Sequence, residues 1–146
     1  MVEKGGKSAA IGSSRGGQTT KIHVITDLLG RPAITRITAG NVSDVHVAGD
    51  LVAAAGPLKC LIADKGYDAD ALRNKLRADG ARPVIPGRIN RKRTIRFDHK
   101  RYRNRWRIEA AFCRLKDFRR VATRYAKLAA NFLSAIALAT LIAFWV

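Results

Sequence analysis

Four side chains of complementary chemistry recur at helical spacing in the second half of this sequence: Tyr102, Arg105, Glu109 and Lys116. On an α-helix, at about 100° per residue, they fall near 0°, 300°, 340° and 320°, a stripe about 60° wide. One face then presents a phenol, a guanidinium, a carboxylate and an ammonium in a row. A carboxylate holds a metal ion, and cations on either side of it hold phosphates. The plainer reading is an exposed ion pair between Arg105 and Glu109 at i,i+4. A second carboxylate, Asp64, directly follows an apolar run at 59–63 (KCLIA), and Gly66 lets the chain turn sharply after it. Ligands commonly sit at the carboxyl ends of strands in open α/β sheets. An aspartate in that place also serves simply to shape a turn or cap the next helix.

The charge distribution names the partner that such a site would act on. The 146 residues carry 28 Lys and Arg against 11 Asp and Glu, a net +17. Residues 81–127 hold 17 of the cations, 13 of them arginine, against Asp98, Glu109 and Asp117, a net +14. Phe97, Tyr102, Trp106 and Tyr125 are interleaved with them. Arginine grips phosphate bidentately and stacks on planar groups. So dense a charge repels itself unless a polyanion neutralises it, which points to DNA or RNA rather than a merely solvated face. Arg101, Arg103, Arg107, Arg119 and Arg120 join the helical stripe as candidate phosphate contacts.

Other classes are excluded more simply. Apolar residues make up 47% of the chain, enough to bury a core, so a disordered basic tail is ruled out. Cys60 and Cys113 lack CxxC spacing, which excludes a zinc ribbon, and free thiols suit a reducing cytoplasm. The Gly-, Lys- and Ser-rich start has no apolar run, so no signal peptide is expected. Gly6-Lys7-Ser8 lacks the earlier glycine of a phosphate-binding loop, where Met1 stands. The uncharged stretch 128–146 is nearly long enough, at ~1.5 Å per residue, to span a ~30 Å hydrocarbon layer. A tail-anchored protein is therefore one rival reading, after a non-catalytic basic nucleic-acid-binding protein. Alanines, together with Asn131, Ser134 and Thr140, favour a buried core helix instead.

The elements that must position these groups read as follows. Residues 1–17 form a flexible lead. Strands at 19–26 and 32–39 make a hairpin around Asp27-Leu28-Leu29-Gly30, and a helix capped by Ser43 or Asp44 runs to Ala55. A short strand at 59–63 leads to a helix capped by Asp68 or Asp70 and ended at Gly80. Another strand lies at 82–85, a patternless basic connector at 88–100, and one long helix or two helices from Arg101 to Val146. This order predicts a mixed α/β sheet with helices on its faces, over residues 18–146.

Tyr102-x2-Arg105-x3-Glu109-x6-Lys116 is similar, at every spacing, to the Tyr-Arg-Glu-Lys signature of DDE transposases of the insertion-sequence 4 and 5 superfamily. Asp64-Lys65-Gly66-Tyr67 resembles the block around that family's second catalytic aspartate. Residues 14–26, Gly40 to Asp44 and the stretch from Asn131 resemble other family segments. The resemblance implies an RNase H-like fold in which Asp64 and Glu109 are catalytic and metal-binding. It implies two Mg²⁺ ions, about 3.5–4 Å apart, promoting DNA cleavage and strand transfer. Tyr102, Arg105 and Lys116 would position the element end. The family's first aspartate precedes its glycine-rich segment, where this sequence begins, and neither Asp27 nor Asp44 looks like a substitute. The expectation is a C-terminal portion, N-terminally truncated, either joined to an upstream frame by frameshifting or a decayed copy. Such a chain would hold an incomplete metal site and fail to cleave DNA alone. Expected partners are DNA, an upstream-frame polypeptide or full-length transposase, and further copies assembled on DNA. The expected location is the nucleoid in the cytoplasm.

Overall fold

The computed structural model describes residues 10–124 and 127–146. The start of the lead, including Gly6-Lys7-Ser8, lies outside the described residues, as does Tyr125. The chain divides into two compact units: Met1–Val42 with Ala110–Val146, and Ser43–Glu109.

In the first unit, β1 (Gly12–Ser14), β2 (Gly17–Thr26) and β3 (Pro32–Ala39) form an antiparallel sheet in the order β1-β2-β3. The Thr, Ile and Val of β2 and β3 favour extended backbone, where branched side chains pack across the pleat. Ile22 pairs with Ile37 and His23 with Arg36. Asp27 locks the β2–β3 turn, since its Oδ1 accepts from the Leu29 and Arg31 amides, each at 2.9 Å, and its Oδ2 from Arg31 Nε at 2.7 Å. The predicted lead is thus partly ordered: Gly12–Ser14 is a strand turning back through Arg15-Gly16 onto β2.

The helical C-terminal part is broken more often than its lack of Pro and Gly predicted. α4 (Trp106–Lys116), α5 (Arg119–Ala122), α6 (Ala129–Thr140) and a π-helical turn (Leu141–Trp145) follow one another. Packing accounts for the first break: Phe118 lies against the core beside Val121, where the chain bends after Lys116. Leu115, Val121, Phe132, Ile136 and Ala139 form that core, with Ile22, Ile37, Phe118 and Phe144 against it. One face of the uncharged stretch, with Phe132, Ile136 and Ala139, is therefore used as core. Among the described residues no helix is long and apolar enough to cross a membrane, so the tail-anchor reading is not supported.

The second unit contains α1 (Asp44–Ala55), β4 (Cys60–Ile62), α2 (Asp70–Ala78) and β5 (Arg82–Val84), with β4 and β5 parallel. Parallel pairing requires a crossover, and α2 supplies it. Ala48, Val52, Leu72, Leu76, Ala81 and Ile85 make its core. α3 (His99–Tyr102) begins at Asp98, whose Oδ1 accepts from the Arg101 amide at 3.0 Å, and a 3₁₀ turn (Arg103–Arg105) leads into α4.

Three expectations need correction. Among the described residues the strands pair as two sheets, β1-β2-β3 and β4-β5, rather than as one mixed sheet. Neither Asp68 nor Asp70 caps α2; Ala69 holds that position without a side-chain bond, because Asp68 is drawn inward by arginines. Ser43 flanks α1 without a side-chain cap bond.

Gly80 ends α2 at φ 79°, a conformation in which a Cβ meets the following carbonyl. Gly80→Ala is expected to lower stability by about 1 kcal/mol. Urea unfolding followed by circular dichroism checks this.

Candidate active site around Asp64 and Glu109

Asp64 stands just after β4, where the strand ends and a 3₁₀ turn (Lys65–Tyr67) begins. Its side chain closes that turn: the Gly66 amide donates to Oδ1 at 2.8 Å, and the Tyr67 amide donates to the Asp64 carbonyl at 3.1 Å. The Asp64 Oδ2 faces the Arg105 guanidinium, with Nη2 at 3.4 Å. The other terminal nitrogen of Arg105, Nη1, donates to Glu109 Oε1 at 2.5 Å. One cation thus joins two carboxylates 45 residues apart in sequence, all inside the second unit. The i,i+4 ion pair read from the sequence is present, and it is one arm of a larger cluster.

Gly66 fixes a further neighbour. A Cβ there would lie 2.9 Å from both Asp64 Oδ1 and Asp44 Oδ2, so those oxygens are within twice that distance, 5.8 Å, of each other. Only glycine lets α1 bring Asp44 so close to the turn. Beside them, burial followed by the negative charges of Asp44 and Asp64 pushes the Tyr67 phenol up to about 12. Tyr67 keeps its proton at neutral pH and remains a donor.

Asp68 belongs to a different arrangement. Its side chain is 1% exposed, as Arg73's is 2% exposed. Arg73 Nε donates to Oδ1 at 2.9 Å, Arg91 Nε to Oδ2 at 2.6 Å, and the Arg88 amide to Oδ2 at 2.8 Å. Arg73 also donates to the Ile85 carbonyl at 2.7 Å. Burial opposes ionisation of Asp68, but the bonds from Arg91, Arg88 and Arg73 outweigh it and hold the carboxyl well below the ordinary range. Both oxygens are committed, so Asp68 is not a free metal ligand.

The predicted helical stripe is divided between the units. Tyr102, Arg105 and Glu109 belong to the second, and Lys116, the last residue of α4, to the first. Tyr102 ends α3, and the 3₁₀ turn after it has three residues per turn, which places Tyr102 and Arg105 in line. The Tyr102 ring is held edge-on by Phe97, with centroids 5.3 Å apart. Lys116 is exposed and borders a cavity of about 370 Å³ that Thr20, Leu115, Arg124 and Phe132 also line. Arg101, Arg103, Arg119 and Arg120 are exposed; Arg107 is half-buried and lies over the Trp106 ring, 5.8 Å from its centroid.

Sequence reasoning did not assign Asp44, Tyr67 or the Asp68 cluster to the site. A signal for the last was present: Arg73 follows Asp68 by five residues, and Arg88 and Arg91 open the stretch read as patternless.

The profile of the "Transposase DDE domain" family matches residues 3–144. This chain belongs to that family, and its function is DNA transposition. It is 34% identical over 125 residues to the Brucella ovis protein "Putative transposase for insertion sequence element IS6501", covering 83% of this chain and 94% of that one. It is 32% identical over 117 residues to the Burkholderia cepacia protein "Putative transposase for insertion sequence element IS402". That match covers 73% of this chain and 53% of the relative, so the chain spans about half of the longer protein. No solved structure matches it.

The family implies a divalent metal cofactor. The donor chemistry here fits a hard cation, because carboxylate oxygens of Asp64 and Glu109 face one shared positive group. Among the described residues, no group of three or more metal-ligating side chains is gathered closely enough to hold an ion.

Proposed function

We propose that the chain is the catalytic part of an RNase H-like transposase that cuts and rejoins DNA at the ends of an insertion sequence. In this reading Asp64 and Glu109 hold Mg²⁺. When bound, the metal activates the attacking oxygen and stabilises the leaving oxygen of the phosphodiester. The observation that carries the proposal is Arg105: it draws both carboxylates toward a single positive charge. Arg105 then also serves as a phosphate contact, with Tyr102 stacking and Lys116 neutralising the backbone. Arg101, Arg103 and Arg107 in the second unit, and Arg119 and Arg120 in the first, are further phosphate contacts in this reading. In this reading the protein acts on DNA at the nucleoid. Further copies, or a polypeptide read from an upstream frame, are its proposed partners there.

Mn²⁺ binding followed by electron paramagnetic resonance tests the metal assignment. Asp64→Asn and Glu109→Gln are each expected to weaken binding about tenfold or more, since each removes a charged donor. Affinity unchanged from wild type in both variants would overturn the assignment. With the upstream-frame polypeptide fused in register, EDTA-sensitive cleavage of a labelled element-end duplex should vanish in the same variants, and cleavage surviving both would sink the catalytic reading.

DNA binding gives an independent expectation. A protein contacting 6–10 phosphates loses about 10³–10⁵ in affinity between 50 and 200 mM salt. A loss of at least about tenfold is expected over that range here, measured by fluorescence anisotropy on duplex DNA. A flat salt profile would contradict the phosphate contacts.

A further inference from the structure

We propose that Arg88 is a positioning residue for Asp64, clamping the turn that carries it from a base fixed by Asp68. This rests on the reading above that Asp64 holds the metal. The Arg88 guanidinium reaches back to that turn: Nε donates to the Lys65 carbonyl at 3.3 Å and Nη2 to the Gly66 carbonyl at 3.0 Å. These are the two peptide groups immediately after Asp64. Their amide sides are also committed, since the Gly66 N–H donates to Asp64 Oδ1 at 2.8 Å and the Tyr67 N–H to the Asp64 carbonyl at 3.1 Å. The turn is therefore bonded from within and gripped from outside by one side chain.

An exposed guanidinium is ordinarily a weak clamp, because ordering a long side chain offsets its hydrogen bonds. Arg88 differs in where its backbone is anchored. Its amide donates at 2.8 Å to the buried carboxylate of Asp68, which Arg73 and Arg91 also bind. Arg91 further donates to Asp70 at 2.8 Å, tying the same segment to the start of α2. The base of the Arg88 side chain is thus immobilised on a charged cluster that spans the turn, α2 and the segment after β5. Only the outer bonds of the side chain remain to be ordered. Asp68, four residues after Asp64, holds in place the arginine that sets Asp64's turn.

The alternative for an exposed arginine in a basic run is a plain phosphate contact, and the two roles separate experimentally. Arg88→Ala removes the grip while leaving the Arg88 amide, Asp68, Arg73 and Arg91 in place. In the 146-residue chain, hydrogen exchange at the Gly66, Tyr67 and Asp68 amides is expected to quicken about three- to tenfold, as when a local hydrogen bond is lost. Core amides of α2 should be unchanged. Mn²⁺ affinity should fall several-fold with an altered resonance line shape, and Arg88→Lys, which keeps one donor nitrogen, should recover part of both effects. Unchanged exchange in the turn, or quickened exchange with unaltered Mn²⁺ binding in a chain whose binding needs Asp64, would overturn the proposal. Weaker DNA binding alone, with the turn unmoved, would assign Arg88 to phosphate and also overturn it. If Asp64→Asn leaves Mn²⁺ affinity unchanged, the metal reading itself fails, and exchange in the turn then decides for or against the clamp.

Discussion

Asp68→Asn is expected to destabilise the chain by about 3–5 kcal/mol, the range seen when one partner of a buried ion pair is removed. The substitution keeps shape and removes charge. Arg73, 2% exposed, would keep only neutral acceptors, the amide oxygen at position 68 and the Ile85 and more distant Pro86 carbonyls. A guanidinium cannot shed its proton to escape, so the uncompensated charge stays buried. Arg91 would lose its tightest bond, at 2.6 Å. Denaturant unfolding monitored by circular dichroism measures the loss, and a change under about 1 kcal/mol would show that the cluster is not a structural centre. The same carboxyl predicts an acid limb. Its folded-state pKa lies below the unfolded value of about 3.9, so its contribution is fully present above that pH and declines as the pH falls below it. In Asp68→Asn that part of the acid limb should be missing.

Ile136→Ala is expected to cost about 2–5 kcal/mol through lost transfer energy and the cavity left behind. Ile136 is 0% exposed, at the centre of the core formed by Leu115, Val121, Phe132 and Ala139. Leu138, two residues on, is 61% exposed on the same helix, and Leu138→Ala should stay within about 0.5 kcal/mol. The contrast matters because the two residues are equally apolar in sequence. A helix lying in lipid would bury both, and near-equal losses would contradict the core assignment. Thermal unfolding of both variants at one pH makes the comparison.

The sequence was most legible where a local rule operated alone. Alternating branched residues marked β2 and β3, and Gly56 and Gly80 bounded α1 and α2. The sheet arrangement was not legible, because strand order depends on long-range pairing that no local pattern states. Breaks after Lys116 and after Ala122 were also missed: neither Pro nor Gly marks them, and packing of Phe118 and Val121 decides the first. At the site, helical spacing foretold that Arg105 and Glu109 meet. It said nothing of Asp44 beside Gly66, since an aspartate at a helix start has an ordinary role there. Asp68 was misread for the same reason. Capping is the usual work of such a residue, and only the fold shows three arginines converging on it.

The commitments of the arginines change what the basic composition means. Arg73 and Arg91 close on Asp68, Arg31 on Asp27 and over the Trp145 ring, and Arg124 on Thr20 and over Phe132. These cations neutralise carboxylates or cover rings of the chain itself. Formal charge and binding valence are therefore separate quantities in this molecule. A salt titration of DNA binding counts displaced counterions, one for each phosphate actually met. Its slope will reflect exposed cations such as Lys116, Arg119 and Arg120, and will fall well short of the +17 that composition suggests.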